Sequence, residues 1–426
     1  MLAISSAGIV DGYFIGNYVG AKGLAAMNIT LPIFSLFFGV ALALGIGGSV
    51  MSGRLLARGD KVHASVMFTK TILTVLVISL SGLVLLLLGM ESLLGLMGAN
   101  GKLLPLSAQY LSTMLYFFPF LMVGIALDHF ARTDNRPGLA FAGLAISAGA
   151  NMLLDWLFVA RLGWGLQGAA LATGMSFVVL VAVVLPHFLF KRGSLRFVWP
   201  KKRGESIAKA GINGFSEFIN ESSVGITTLV FNLAMLRYFD TDGVAAFSVI
   251  TYWLWIGQMG MFGVCDALGP LISKNNSLAQ TKRVHTFLGL GIATTMGMGG
   301  VMIAGLLLAP EALARLFLDA NSQEALAIVL EFSMWVWPVF VFNGTTLVIA
   351  AYFTAMQRPR QSTLIALARS LVLPAFFIAL LPIWVGPKGV FMALPLAECL
   401  TFVVSVWYVQ GFMKKKREIK GPKQAL

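Results

Sequence analysis

The chain has 426 residues, 58% of them hydrophobic and only 12% charged, with a mean hydropathy of +0.84. A soluble protein of this length would carry about 25% charged residues, so a soluble globular fold is excluded. The formal charge of +13 would suit nucleic acid if it formed a patch, but most of the Lys and Arg are spread over one set of loops.

Apolar runs such as 33–50, 72–90 and 366–383 recur along the whole chain. Runs of roughly 20 apolar residues cross a bilayer as helices, with every backbone group bonded internally. The expected fold class is an all-α polytopic membrane protein. Twelve spans are predicted at about 1–18, 26–50, 66–89, 105–127, 137–159, 165–190, 208–236, 243–273, 285–309, 325–352, 361–385 and 389–412. The first is short and Met1 falls inside it, so a late start or a missing leader is expected. No basic region followed by a small-residue cleavage site marks a signal peptide. Cys265 and Cys399 sit in apolar runs and suggest neither a disulfide framework nor a metal site.

Loop charge sets the orientation. With the even-numbered loops and the C-terminal tail taken as one side, that side holds 24 Lys and Arg and the other holds six. Arg369 is the remaining one, inside span 11. The basic side is cytoplasmic by the positive-inside rule, so both termini are expected inside, in the cytoplasmic (inner) membrane of a bacterium. The basic loops then read as topology signals and anionic-lipid contacts, and nucleic acid is not an expected partner.

The chain also repeats. Tyr18, Gly23, Ala25 and Ala26 recur as Tyr238, Gly243, Ala245 and Ala246. Val62-His63 recurs as Val284-His285, Ala99-Asn100 as Ala320-Asn321, and Arg136-Pro137 as Arg358-Pro359. A displacement that stays at 220 to 222 residues over the whole length is not chance composition. Parallel repeats of this kind are related by an axis along the membrane normal. The expected organisation is a six-helix lobe at 1–190, a basic linker at 191–209, a six-helix lobe at 210–412 and a basic tail at 413–426.

Within span 5, Asn151 and Asp155 stand four residues apart in an otherwise apolar stretch, on one helix face and one turn apart. A carboxylate at membrane depth faces a cavity or a partner and marks a functional site by default.

Several stretches resemble the multidrug and toxic compound extrusion (MATE) family, in its bacterial multidrug-exporter branch. They are Val10-Asp-Gly-Tyr-Phe-Ile-Gly16, Gly20-Ala-Lys-Gly-Leu-Ala-Ala26, Asn151-x3-Asp155, Gly165-Leu-Gln-Gly168 running on to Thr173, and Gly263-Val-x-Asp-Ala-Leu-x-Pro270. The resemblance implies two six-helix lobes forming a V that alternates between inward- and outward-open states. It also implies a first-lobe site for H⁺ or Na⁺ on Asp11, Asn151, Asp155 and Thr173. Depth agrees with it: at 1.5 Å per residue, Asp11, Asn151 and Thr173 lie roughly 12–13 Å below the outer helix ends, with Asp155 one turn shallower. Two carboxylates close together in low dielectric do not both ionise readily, so one can hold a proton near neutral pH. Asn151 and Thr173 add neutral oxygens suited to Na⁺.

Other polar residues are weaker candidates. Glu217 and Glu221 on span 7 are again four apart, and Arg369 lies at a similar depth on span 11; a coupling or substrate role and a plain buried Glu–Arg pair fit equally. Glu398 is near the middle of span 12 and Asp266 near the inner part of span 8. Trp253, Trp255, Trp335 and Trp337 suit either an apolar substrate wall or interfacial anchoring. Gly45, Gly47 and Gly48 suggest close helix approach. His63, His129, His187 and His285 all fall near cytoplasmic helix ends and read as surface residues.

The expected function is a secondary antiporter exporting organic, often cationic, compounds in exchange for H⁺ or Na⁺. The alternative is a lipid-linked or saccharide flippase of the same broad superfamily, although that would call for a more cationic interior. No HExxH, nucleophile elbow or Walker A motif occurs, so neither an enzyme nor an ATP-driven pump is expected. No cofactor is expected beyond the coupling ion, and a monomer is the expected state.

Overall fold

The computed structural model describes residues 2–199, 206–278, 280–356 and 358–420. Part of the basic linker and the end of the tail lie outside them. Among the described residues the chain is helical without strands. The helices are α1 (Leu2–Tyr18), α2 (Ala21–Ala57), α3 (Lys61–Leu96), α4 (Leu103–Leu115), α5 (Phe118–Thr133), α6 (Pro137–Asp155), α7 (Gly165–Leu189) and α8 (Ile207–Ser277). They continue as α9 (Thr281–Leu308), α10 (Pro310–Ala314), α11 (Gln323–Val336), α12 (Val339–Ala355), α13 (Pro359–Leu367), α14 (Leu373–Val385) and α15 (Lys388–Lys420). Two stretches are π-helical: Trp156–Arg161 follows α6, and Ala368–Val372 joins α13 to α14.

Among the described residues eight helices are long and apolar enough to cross a membrane, or ten when two bent pairs count as one span each. The 17-residue α1 and the kink that divides α8 into two limbs supply the other two expected spans. The bent pairs are α4 with α5, at 50°, and α11 with α12, at 56°. They fall at equivalent places in the repeat, each beside a proline, Pro119 and Pro338. The π-helical stretches fall in spans 5 and 11 but at different registers, Trp156–Arg161 closing span 5 and Ala368–Val372 lying in the first half of span 11. The repeat therefore extends to the bends of spans 4 and 10 but not to the π-turns.

Two boundaries differ from expectation. α2 and α3 run to 37 and 36 residues, about 55 Å at 1.5 Å per residue, against a hydrocarbon core of about 30 Å. Their joined ends around Arg54–Lys61 therefore stand clear of the apolar layer. Spans 7 and 8 are not separated by a loop. The break falls on Asp240, at φ 54° and ψ −155°, where the carboxylate accepts the Thr241 N–H at 2.7 Å.

The chain divides into two compact units. Unit 1 comprises 1–236, 240–248 and 316–322, and unit 2 comprises 237–239, 249–315 and 323–426. By repeat, the first limb of α8 begins the second half; by packing it groups with unit 1. The reason is a seam of small residues against α2. A Cβ on Gly47 would meet the Ala210 carbonyl at 1.9 Å, and one on Gly214 would meet the Ala43 carbonyl at 1.9 Å. Gly225 lies on Ser35, and Gly39 on Phe218 and Glu221. Asn28 and Asn232 close the far end, Asn28 Nδ2 donating to Asn232 Oδ1 at 3.0 Å and Asn232 Nδ2 to the Asn28 carbonyl at 3.1 Å. The pairs run antiparallel, and small residues permit this backbone approach where no water drives association.

α2 is the central helix of unit 1, with 24 of its 37 residues buried against 11 of 36 in α3. Gly45 faces α5 at Ala126, and Gly48 faces α3 at Thr71. With Gly47 on α8, three neighbouring glycines admit three different helices, the close approach their composition suggests.

His187 is not a surface residue. It is buried, and its Nε2 lies 2.8 Å from Asp134 Oδ2. Asp134 Oδ1 accepts the N–H of Ser194 at 2.8 Å and of Leu195 at 3.2 Å. The described start of the linker is held further by Val198 N–H donating to Thr69 Oγ1 at 3.1 Å and by Phe197 against Phe68. Gly193 makes the turn possible, since a Cβ there would meet Asp134 Oδ2 at 1.8 Å. The surface expectation failed because burial of His187 comes from a linker folding back, which helix periodicity does not encode.

Two outcomes follow. Gly214→Val should destabilise by about 1–3 kcal/mol, the usual range for overpacking, and lower the melting temperature in detergent. Gly89→Ala, with nothing within 4 Å of its Cβ, should not. Asp134→Ala should free the linker, read by limited proteolysis as faster cutting at 190–199; an unchanged cleavage rate would show that the carboxylate does not hold it.

Candidate functional site

The first polar cluster forms where α1, α6 and α7 of unit 1 pack together. α6 and α7 form a hairpin whose turn uses Gly163 and Gly165 at positive φ. The two helices are stapled by Ser147 Oγ donating to the Ser176 carbonyl at 2.6 Å. Gly143 lies on Val184 and Leu180 of α7. Packed this closely, α6 turns its Asn151–Asp155 face towards Thr173, and α1 brings Asp11 across.

Asn151 is the hub. Its Nδ2 donates to Asp11 Oδ1 at 2.9 Å and to Asp155 Oδ2 at 3.1 Å, with Thr173 Oγ1 at 3.4 Å. Thr173 Oγ1 donates to Asp11 Oδ2 at 2.7 Å. Asp11 and Asp155 are also within hydrogen-bonding reach of each other. All four residues are buried, and Asn151 and Asp155 expose no surface. Asn151 Oδ1 and Asp155 Oδ1 have no hydrogen-bond partner. Among the described residues no Lys, Arg or His is ion-paired to either carboxylate. Four residues from three helices thus converge, with two acids and no fixed positive charge.

The MatE family model matches residues 1–157 and 218–380. The chain belongs to the MatE family. Over 408 residues it is 26% identical to the multidrug export protein MepA of Staphylococcus saprophyticus, covering 94% of this chain and 88% of that protein. Its fold is similar to that of a multidrug resistance MATE family transporter of the MOP superfamily in an inward-facing conformation, with a TM-score of 0.91 at 20% identity, covering 98% of this chain and 96% of the other. It is also similar to the MATE multidrug transporter DinF-BH in complex with a dye, with a TM-score of 0.76 at 26% identity over 96% of this chain and 92% of that one. These relatives are named as transporters rather than as enzymes.

In this MatE chain a second polar cluster lies in unit 2. Arg369 Nε donates to Glu398 Oε1 at 2.8 Å, and Asn343 Nδ2 donates to the same oxygen at 3.1 Å. Depth counting placed Arg369 level with the span 7 acids and left Glu398 without a partner; within unit 2 the two pair with each other. Asn343 was missed because no acid or second amide stands at helical spacing from it, Thr346 being the one polar residue there. Glu398 and Arg369 balance in charge, unlike the acids of the first cluster, while Glu398 Oε2 and Asn343 Oδ1 are buried without hydrogen-bond partners.

Glu217 and Glu221 do not join either cluster. Glu221 is half-buried on the first limb of α8, hydrogen-bonded to Ser35 of α2. Glu217, one turn earlier, is also half-buried. The side chain of Asp266 lies outside the described residues. Breaking a buried ion pair from one side costs about 3–5 kcal/mol. Arg369→Gln and Glu398→Gln should therefore each lower thermal stability more than the double substitution does, and a strictly additive double mutant cycle would show that the pair is not coupled.

Proposed function

We propose that this protein is a secondary antiporter that exports organic, often cationic, compounds in exchange for a coupling cation bound by Asp11, Asn151, Asp155 and Thr173. One observation carries the reading: two buried carboxylates share a site with no fixed counter-charge. Two unit charges 4 Å apart repel by about 4 kcal/mol at an effective dielectric of 20, which one added proton or cation relieves. A site that must be charge-compensated from outside suits a coupling site. The export role is supported by the relatives, of which MepA is named a multidrug export protein and DinF-BH was solved with a dye bound.

The amide orientation sets Na⁺ behind H⁺, because it turns N–H donors rather than an oxygen ligand toward the acids. Asn151 presents its NH₂ group to both acids, and neighbouring carboxyls in mutual reach suit a shared proton. The second reading, Na⁺, rests on Asn151 Oδ1 and Asp155 Oδ1, both buried without partners. Turning the Asn151 amide over would offer Na⁺ these oxygens beside those of Asp11 and Thr173. In either case the ion drives export only as far as its affinity differs between the two access states. Orientation follows from loop charge, with the basic side and both termini in the cytoplasm of a bacterial inner membrane. The flippase alternative is less well supported, since among the described residues one embedded cluster is acidic and the other neutral.

Efflux of ethidium from proteoliposomes under an imposed pH or Na⁺ gradient tests this. Transport is expected with a pH gradient, and Asp155→Asn should abolish gradient-driven efflux while leaving the melting temperature close to wild type. Drive by Na⁺ alone would select the second reading. Efflux in Asp155→Asn equal to wild type would remove Asp155 from coupling, and no transport under either gradient would sink the antiport reading.

A further inference from the structure

A pocket of about 300 Å³ lies in unit 2 where the end of α12 and the start of α13 meet α15. That volume is at the lower end of small-molecule sites. Phe353, Arg358, Gln361, Trp407, Tyr408 and Phe412 line it, and among the described residues no acidic one does. The Arg358 guanidinium stands 5.2 Å from the centre of the Phe412 ring, held against an aromatic wall by a cation–π contact. Among the described residues no carboxylate is paired with Arg358. Its planar fork of N–H donors matches a phosphate oxygen pair.

Two further features point to what fills it. The pocket lies on the Lys- and Arg-rich side of the chain, with Arg360 and the tail residues Lys414, Lys415, Lys416 and Arg417 close in sequence. It also lies at the end of an exposed apolar stripe on α15, where Leu400, Val403 and Trp407 are 41%, 54% and 68% exposed at helical spacing along one face. Trp407 and Tyr408 stand at the head of the stripe, the level at which such rings mark the membrane interface. An acyl chain can follow the stripe while a headgroup enters the pocket.

We propose that this pocket binds the headgroup of an anionic phospholipid, with the phosphodiester on Arg358 and one acyl chain along Leu400, Val403 and Trp407. Basic pockets between membrane helices recognise anionic headgroups in this way. The site is separate from both polar clusters and does not depend on the antiport reading.

Native mass spectrometry of the full-length protein, delipidated in a non-ionic detergent and offered phosphatidylglycerol or phosphatidylcholine at equal concentration, tests the proposal. The wild type should retain one phosphatidylglycerol about tenfold more strongly than phosphatidylcholine, whose choline cation offsets the phosphodiester charge and repels the nearby basic side chains, an effect the size of one charge-assisted contact. Arg358→Gln should lose that preference and Arg360→Gln should keep it. Where Arg358→Gln fails to fold, Arg358→Lys keeps the charge without the fork, and retention should fall between the two. Equal retention of both lipids by the wild type overturns the proposal. So does equal loss in Arg358→Gln and Arg360→Gln, which would mean diffuse attraction, or unchanged retention in Arg358→Lys. Displacement of the lipid by equimolar inorganic phosphate would reassign the pocket to a free anion and overturn it too.

Discussion

Asp11 and Asp155 impose the constraint from which the rest can be read. Two carboxylates sit in one buried site, and among the described residues no lysine or arginine is near enough to neutralise them. Burying unpaired charge is far more expensive than burying a hydrogen-bonded amide, so the protein must either admit a cation there or keep a proton in place. Asn151 and Thr173 direct three hydrogen bonds to the two acids, but neutral donors cannot cancel the charge. In unit 2, by contrast, Arg369 supplies the cancelling charge within the protein. The two halves of the repeat thus carry embedded polar clusters of different charge balance, one with two acids that no described Lys or Arg pairs with, and one whose acid is paired to Arg369.

α2 is the packing centre of unit 1. α2 carries no charged residue between Lys22 and Arg54, and it meets its neighbours through glycines and short side chains. In a membrane, where apolar side chains gain little by leaving lipid, close backbone approach and interhelical hydrogen bonds take over the work of association. The Asn28–Asn232 pair and the Gly47 and Gly214 contacts are examples on one face, with Gly45 and Gly48 on others. At the charged end of unit 1, Asp134 ties the linker to the loops through two backbone N–H groups and His187. A single carboxylate there holds a connection that would otherwise be a free strand of loop.

How much of this was legible in the sequence depended on whether a feature is local. The Asn151–Asp155 spacing fixes a shared helix face and counting residues from helix ends fixes depth, but it was the family resemblance that brought Asp11, Asn151, Asp155 and Thr173 together, since depth and spacing alone do not show that they converge. Depth does not give the direction in which a side chain leaves its helix. Arg369 could therefore be set level with Glu217 and Glu221, while its actual partner Glu398 was left alone. Asn343 carried no signal, since one amide in an apolar run looks like any other interhelical contact. The burial of His187 and the one-residue break at Asp240 come from the chain folding against itself, beyond the reach of periodicity. The repeat was visible because matched residues keep a constant offset, and the bends beside Pro119 and Pro338 keep that offset too.

The π-helical stretches at Trp156–Arg161 and Ala368–Val372 have a bearing on how such chains diverge. A π-turn holds one more residue than the α-helical ladder needs, so each stretch is an insertion absorbed without breaking the helix. Removing a residue there would not open a gap. It would restore a regular ladder and rotate everything beyond it by about 100°, one residue's share of a 3.6-residue turn. Beyond Trp156–Arg161 lies the hairpin that delivers Thr173, and beyond Ala368–Val372 the rest of span 11. Length variation in these two spans therefore acts as a rotation of helix faces, and relatives that differ there by a single residue would present different side chains inward while keeping the same number of spans.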